Sequence, residues 1–298
     1  MSTVGLVVPG DIWSARSEQF LNQVLAGIED VVVAAGHTVL THAAGSVEEE
    51  IAVHRRWAAE GAVRAVVLRD LGAQDPRPGI LHDLGLPYVL IGDVVQEDGP
   101  GAGVPTVTVD NAGIMREVLG TLLEMGHRRI VHVGGPPHLL HSALRRAAYR
   151  EVMARHGLED LGIDGDYTRA SGAAALEAVQ ARLPGVPATD PPAPSRAVLV
   201  LDNDAMALGA LERARELRLR VPADVSLVSW EDSMGCQLSE PPMTALGHSL
   251  RSTGMQVGRA LALLVEDPPR VIRHRPSTPV LLRRETLAGP PADAAPPR

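Results

Sequence analysis

The chain carries a single cysteine, eleven histidines and no lysine, so the chemistry open to it is narrow. A lone Cys236 excludes an intramolecular disulfide and any multi-cysteine zinc or iron–sulfur site within one chain. It fits a reducing, cytoplasmic compartment. The closest histidines are His127, His132, His138 and His141, of which His138 and His141 are spaced for one helical turn. With no cysteine or glutamate beside them they read as ordinary polar or loop residues, not as metal ligands. The nucleophile elbow G-x-S-x-G, the phosphate loop G-x-x-x-x-G-K-S/T and the dinucleotide fingerprint G-x-G-x-x-G are all missing. Catalysis, a metal and a cofactor are therefore not expected. What remains is a set suited to holding a small polar molecule: Asp11, Trp13, His141, Arg145, Asn203, Trp230 and Glu231. Together they offer a guanidinium fork, an amide, carboxylates and indole faces, which would give a polyhydroxyl ligand directional hydrogen bonds and a stacking surface.

These residues must be positioned by the elements around them. Short apolar runs alternate with stretches of helical period, which is how a parallel sheet with crossover helices reads, so the fold class is α/β. Strands are predicted at 4–8, 38–41, 65–68 and 88–91, with helices at 17–35, 47–59 and 80–84 between them. After a Gly/Pro-rich passage at 97–105 the rhythm restarts. Strands follow at 106–109, 129–133, 165–168, 197–201 and 225–230, with helices at 114–125, 142–155, 172–183 and 205–217. Two such half-chains imply two doubly wound parallel-sheet subdomains. Ligands in such sheets sit beyond the carboxyl ends of the strands, and the residues named above stand just after predicted strands, or at the end of one. The Pro-rich segment 184–194 reads as an exposed loop and 290–298 as a disordered tail. Trp57, in the middle of a helix, reads as packing.

The 298 residues are enough for one large or two medium domains. At 45% hydrophobic and 21% charged the chain has a globular composition, which excludes wholesale disorder, collagen and coiled coil. Its 28 basic and 36 acidic residues leave a net charge of −8, poor electrostatics for a surface that must neutralise phosphates, so the chain alone is not expected to grip DNA. No apolar run approaches the ~18 residues of a membrane span, and no leader is visible.

Three stretches make a family resemblance specific: VDNAGIMREVLGTLLEMGHRRIVHVGGP at 109–136, LDNDAMALGALERARELRLRVPADVSLVSWED at 201–232, and PPMTALGHSLRSTGMQVGRAL at 241–261. In order and spacing the chain resembles the effector-binding core of the LacI/GalR family of transcription regulators, and TPVLLRRETL is similar to the family's last strand and closing arginine-containing stretch. The resemblance implies a periplasmic-binding-protein-like type I fold with three crossovers, near Gly126, His248 and Ser277. The expected subdomains are 1–126 with 248–277 and 127–247 with 278–289. It also implies an effector in the cleft between them, a sugar being the commonest class, and carries ligand contact onto Arg145, Asn203 and Glu231, and more weakly onto Tyr167 and His248. Asn203 could equally cap the helix that follows it. Glu231 stands where the family usually has Asp, a change of one methylene that alters which hydroxyls it reaches.

The resemblance further implies a homodimer, with apolar surface from the 205–217 helix and from MGCQL at 234–238, and contact with operator DNA only through a helix-turn-helix expected to be absent before Val4. The competing function is a solute-binding protein of an ABC sugar transporter, which shares the fold. An enzyme of the same architecture ranks third.

Overall fold

The computed structural model describes residues 1–10, 19–93, 104–182, 197–266, 273–274 and 279–289. Asp11 and Trp13, the 184–194 loop and the 290–298 tail lie outside these residues.

The chain runs β1 (Thr3–Pro9), α1 (Gln19–Ala34), β2 (Thr38–Ala44), α2 (Val47–Glu60), β3 (Ala65–Arg69), α3 (Arg77–Asp83), β4 (Tyr88–Ile91) and β5 (Thr106–Val107). It continues through α4 (Asn111–Glu124), β6 (Ile130–Gly134), α5 (Leu140–Arg155), β7 (Ile163–Asp164), α6 (Arg169–Arg182), β8 (Ala197–Leu201), α7 (Asp204–Glu216), β9 (Val225–Ser229), α8 (Met234–Gln237) and β10 (Thr244–Gly247). Last come α9 (Leu250–Glu266), β11 (Arg273–His274) and β12 (Val280–Leu282).

Two compact units result, Met1–Asp110 with Ser249–Ser277 and Asn111–His248 with Thr278–Arg298. Each holds one six-stranded sheet, ordered β11-β5-β4-β3-β1-β2 in the first and β12-β10-β9-β8-β6-β7 in the second. All pairings are parallel except β10 with β12. The first sheet is buried on both faces: Val4, Leu6 and Val8 of β1 pack with Ile28 and Leu261, while Val7 packs with Trp57 and Leu81 on the other side. Trp57 therefore has the packing role read from its place in the sequence, and its ring is so close that a Cβ on Gly5 would stand 2.5 Å from it.

The chain leaves the first unit at Asp110, earlier than the expected crossover at Gly126, because α4 packs along α5 of the second unit and is joined to it by an Arg116–Glu151 ion pair at 2.8 Å. The strand expected at 165–168 is corrected: β7 ends at Asp164. Beyond it the Gly165 N–H still donates to the Gly134 carbonyl at 2.8 Å, but the Asp166 carboxylate then accepts from the Thr168 N–H at 2.9 Å and turns the chain. Tyr167 falls in the left-handed region at φ 68°, which no strand tolerates.

The apolar surface expected on the 205–217 helix is also corrected. Ala205 to Leu211 of α7 are buried within their own unit, with Met206 and Ala207 in its core, and the exposed apolar side chains nearby are Leu217, Met234 and Leu238.

Helix α7 is buried because α6 lies on it at backbone distance. A Cβ on Gly172 would come 2.0 Å from the Met206 carbonyl oxygen, and one on Gly209 would come 2.1 Å from that of Arg169. Gly120 of α4 faces open space. Gly172→Ala is therefore expected to lower stability by about 1–3 kcal/mol through overpacking, whereas Gly120→Ala should raise it by about 0.5–1 kcal/mol. Urea unfolding of both variants checks this, and equal effects would contradict the close helix contact.

Candidate functional site

The carboxyl ends of β6, β8 and β9 lie side by side in the second sheet. Each ends in a polar residue or leads into a polar loop. The site is built around Arg145, which α5 carries back over those strand ends and which is only 8% exposed. Its Nε donates to Asn111 Oδ1 at 2.8 Å and its Nη1 to the Asp202 carbonyl at 3.2 Å, with Asp202 Oδ2 3.4 Å away. The guanidinium carbon lies 4.0 Å from the centroid of the Trp230 ring, a cation–π contact. Among the described residues its hydrogen bonds leave from Nε and Nη1, so Nη2 is the amino group with capacity for a further acceptor.

Asp202 follows β8 directly and is buried. Its Oδ1 accepts from His132 Nε2 at 2.9 Å and its Oδ2 from the Gly135 N–H at 3.2 Å. Because a carboxylate only accepts, Nε2 of His132 carries the proton in this contact. Burial disfavours charge on Asp202, yet the Arg145 and His132 partners and the Gly135 N–H outweigh it and hold the carboxyl well below the usual range.

His248 completes this side of the site. Its Nε2 donates to the Trp230 carbonyl at 2.9 Å, and its ring tilts against the indole at 6.3 Å. Burial, reinforced by the Arg145 charge, pushes the His248 imidazole down to about 4, so it is neutral at pH 7.

A second cluster adjoins the first through Asn203. The Asn203 side chain caps α7, Oδ1 accepting from the Met206 N–H at 2.9 Å, while Nδ2 donates to the Tyr167 carbonyl at 3.0 Å. The Tyr167 hydroxyl lies 2.7 Å from His141 Nε2 and 3.0 Å from Ser142 Oγ. Its ring covers Gly135, where a Cβ would stand 2.1 Å from it. These contacts hold Tyr167 in a backbone conformation that costs roughly 1–2 kcal/mol for a side-chain-bearing residue.

Arg145, Trp230 and His248 thus form one contact network, and His141, Tyr167 and Asn203 the adjoining one. Trp230 is 2% exposed and its face is already covered by Arg145, so it is not a bare stacking platform. Glu231 is half-buried, its backbone N–H and carbonyl both bonded to Ser229 Oγ. Asn111, His132 and Asp202 were missed as site residues by sequence reasoning. A histidine inside the apolar run IVHVG and an aspartate closing AVLVL were the available signal, since buried polar groups need partners. No group of three or more metal-ligating side chains occurs among the described residues, and His138 is exposed.

Residues 119–287 match the periplasmic binding protein-like domain family. The chain is similar to the HTH-type transcriptional regulator CelR of Thermobifida fusca, 32% identical over 87% of this chain and 73% of that protein. It is similar also to the HTH-type transcriptional regulator AglR of Rhizobium meliloti, 31% identical over 87% of this chain and 70% of AglR. Among solved structures it resembles a LacI family transcriptional regulator from Bifidobacterium animalis, with a TM-score of 0.81, 26% identity and coverage of 96% of this chain and 98% of that one. It also resembles a complex of the transcriptional regulator CelR with cellobiose, with a TM-score of 0.82, 29% identity and coverage of 96% and 84%.

Burial makes the histidines a source of acid lability. His54, His127 and His248 are each pushed down by burial to about 4 from an ordinary 6.5. In the unfolded chain they take up protons as pH falls through 6.5, while the folded protein resists until about 4, so stability falls across that window by up to roughly 1.4 kcal/mol per histidine per pH unit. Glu50 and Asp204, raised by burial, oppose this in part. The melting temperature should drop between pH 7 and pH 5, and His54→Leu should flatten the slope. A melting temperature that is unchanged or higher at pH 5 would contradict neutral burial.

Proposed function

This chain belongs to the LacI family of transcriptional regulators, and from that premise we propose that its effector-binding core senses a small carbohydrate at the carboxyl ends of β6, β8 and β9. The observation that carries the reading is Arg145, a guanidinium pinned on Asn111, Asp202 and the Trp230 ring with Nη2 available to a ligand oxygen. A fixed, charged donor beside polar strand ends suits hydroxyl acceptors, and preorganisation keeps the entropic cost of binding low. The cellobiose held by the related CelR supports a sugar. Relatives that are regulators favour this reading over the transporter and enzyme alternatives.

In this reading Arg145, Asn203, Glu231, Tyr167, His141 and His248 line or support the ligand position, and Trp230 backs Arg145. Asp11 and Trp13, which lie outside the described residues, are carried forward on their residue types and their place just after the first strand. Binding shifts the balance between two arrangements of a homodimer, and the DNA contact is made by a helix-turn-helix of the kind the relatives' names describe. Met234 and Leu238, 58% and 77% exposed, are the apolar surface offered to the second copy.

A panel of mono- and disaccharides that includes cellobiose, screened by thermal shift and calorimetry, should yield a stabilising ligand. Arg145→Ala should weaken that ligand roughly 5- to 150-fold, the cost of one lost charged hydrogen bond. Binding that is indifferent to Arg145→Ala would place the site elsewhere. Light scattering at micromolar concentration should give a dimer above the 31.5 kDa chain mass, and Met234→Arg with Leu238→Arg should shift it toward monomer. A monomer without these substitutions would contradict the interface.

A further inference from the structure

We propose that Asp202 is a positioning residue, clamped by His132 and the Gly135 N–H so that its carbonyl and Oδ2 fix the Arg145 guanidinium on Trp230 with Nη2 turned to the effector. The inference rests on the reading of Arg145 as an effector contact and adds what holds it there.

Four observations carry it. Asp202 is 1% exposed, so its carboxylate is a support beneath the site and does not itself meet solvent or ligand. Both carboxylate oxygens accept hydrogen bonds from groups other than Arg145, His132 Nε2 at 2.9 Å and Gly135 N–H at 3.2 Å, which leaves the group no freedom to rotate toward a ligand. Arg145 is tied to the same residue twice through Nη1, to the carbonyl at 3.2 Å and near Oδ2 at 3.4 Å, so Asp202 gives the guanidinium both a counter-charge and a direction. His132 is wholly buried, and its Nδ1 has no hydrogen-bond partner among the described residues, so its one polar contact is spent on Asp202. A buried imidazole costs desolvation that this single bond must offset. Its place on β6, one strand over from β8, makes the pair a brace across the sheet.

The chemistry separates this role from general stability. An amide at 202 can still accept from His132 through Oδ1, but its Nδ2 cannot accept from the Gly135 N–H and repels the Arg145 donors. Asp202→Asn is therefore expected to free the guanidinium from Asn111 and the indole.

The test is a pair of readings on the full chain. Crystal structures of the parent protein and of Asp202→Asn should show Arg145 displaced from Trp230 and Asn111 in the variant; an unmoved guanidinium overturns the proposal. Calorimetry with cellobiose as probe should show Asp202→Asn weakening binding on the order of 10-fold, and the effect should vanish in an Arg145→Ala background because Asp202 acts through that residue. A full additive loss in the double variant also overturns it. Should Asp202→Asn fail to fold, His132→Gln, which retains an N–H donor, is expected to bind more tightly than His132→Phe; equal affinities count against the brace. Absence of cellobiose binding by the parent protein would count against the sugar reading, and the crystal structures would still decide the positioning role.

Discussion

A charge removed from water must be met by opposite charge and by hydrogen bonds, or it costs several kcal/mol, and the second unit is organised around one such case. Arg145 and Asp202 are both nearly inaccessible, and each is satisfied only because residues from distant parts of the sequence converge on it: Asn111 at the start of α4, His132 within β6, Gly135 just after it, and Trp230 just after β9. The parallel sheet makes that convergence possible, since β6, β8 and β9 all end at the same edge.

The neighbouring Tyr167 shows the same logic in the backbone. A strained residue persists where its surroundings over-determine it, and here a ring over Gly135, a hydroxyl within reach of His141 and Ser142, and a carbonyl bonded to Asn203 do so together. Asn203 links the two clusters, because the side chain that holds the Tyr167 carbonyl also caps α7 directly after Asp202. Farther along, the bidentate pair of Arg284 with Asp232, at 2.6 and 2.9 Å, and the Thr286 hydroxyl donating to the Leu227 carbonyl at 2.8 Å fasten the closing stretch onto β9 and the loop that follows it. The family-like TPVLLRRETL thus finishes the sheet that carries the site.

The α/β rhythm was legible because strands buried on both faces must be apolar runs, and AVLVL or AVVLR leaves little else to be read. Helix ends were legible to within a few residues where a cap was present, as with Asn203 before α7. Two things were not. The segment at 165–168 looked like a strand because its continuation into an Asp–Thr turn depends on a side chain bonding its own backbone, which periodicity does not register. The partners of Arg145 were hidden for a different reason: Asn111 and Asp202 are remote from it in sequence, and only the folded sheet makes them neighbours. Family spacing pointed to Arg145; it said nothing of what holds the side chain still.

The most direct test of this dependence needs no ligand. Urea unfolding of the parent protein, Arg145→Met, Asp202→Asn and the double variant measures the coupling between the two buried charges. A coupling of at least about 1 kcal/mol is expected, with the double variant losing less than the sum of the singles, because each charge left alone is stranded in the interior. Strict additivity of the two losses would mean that the pair is not the constraint on which the site depends.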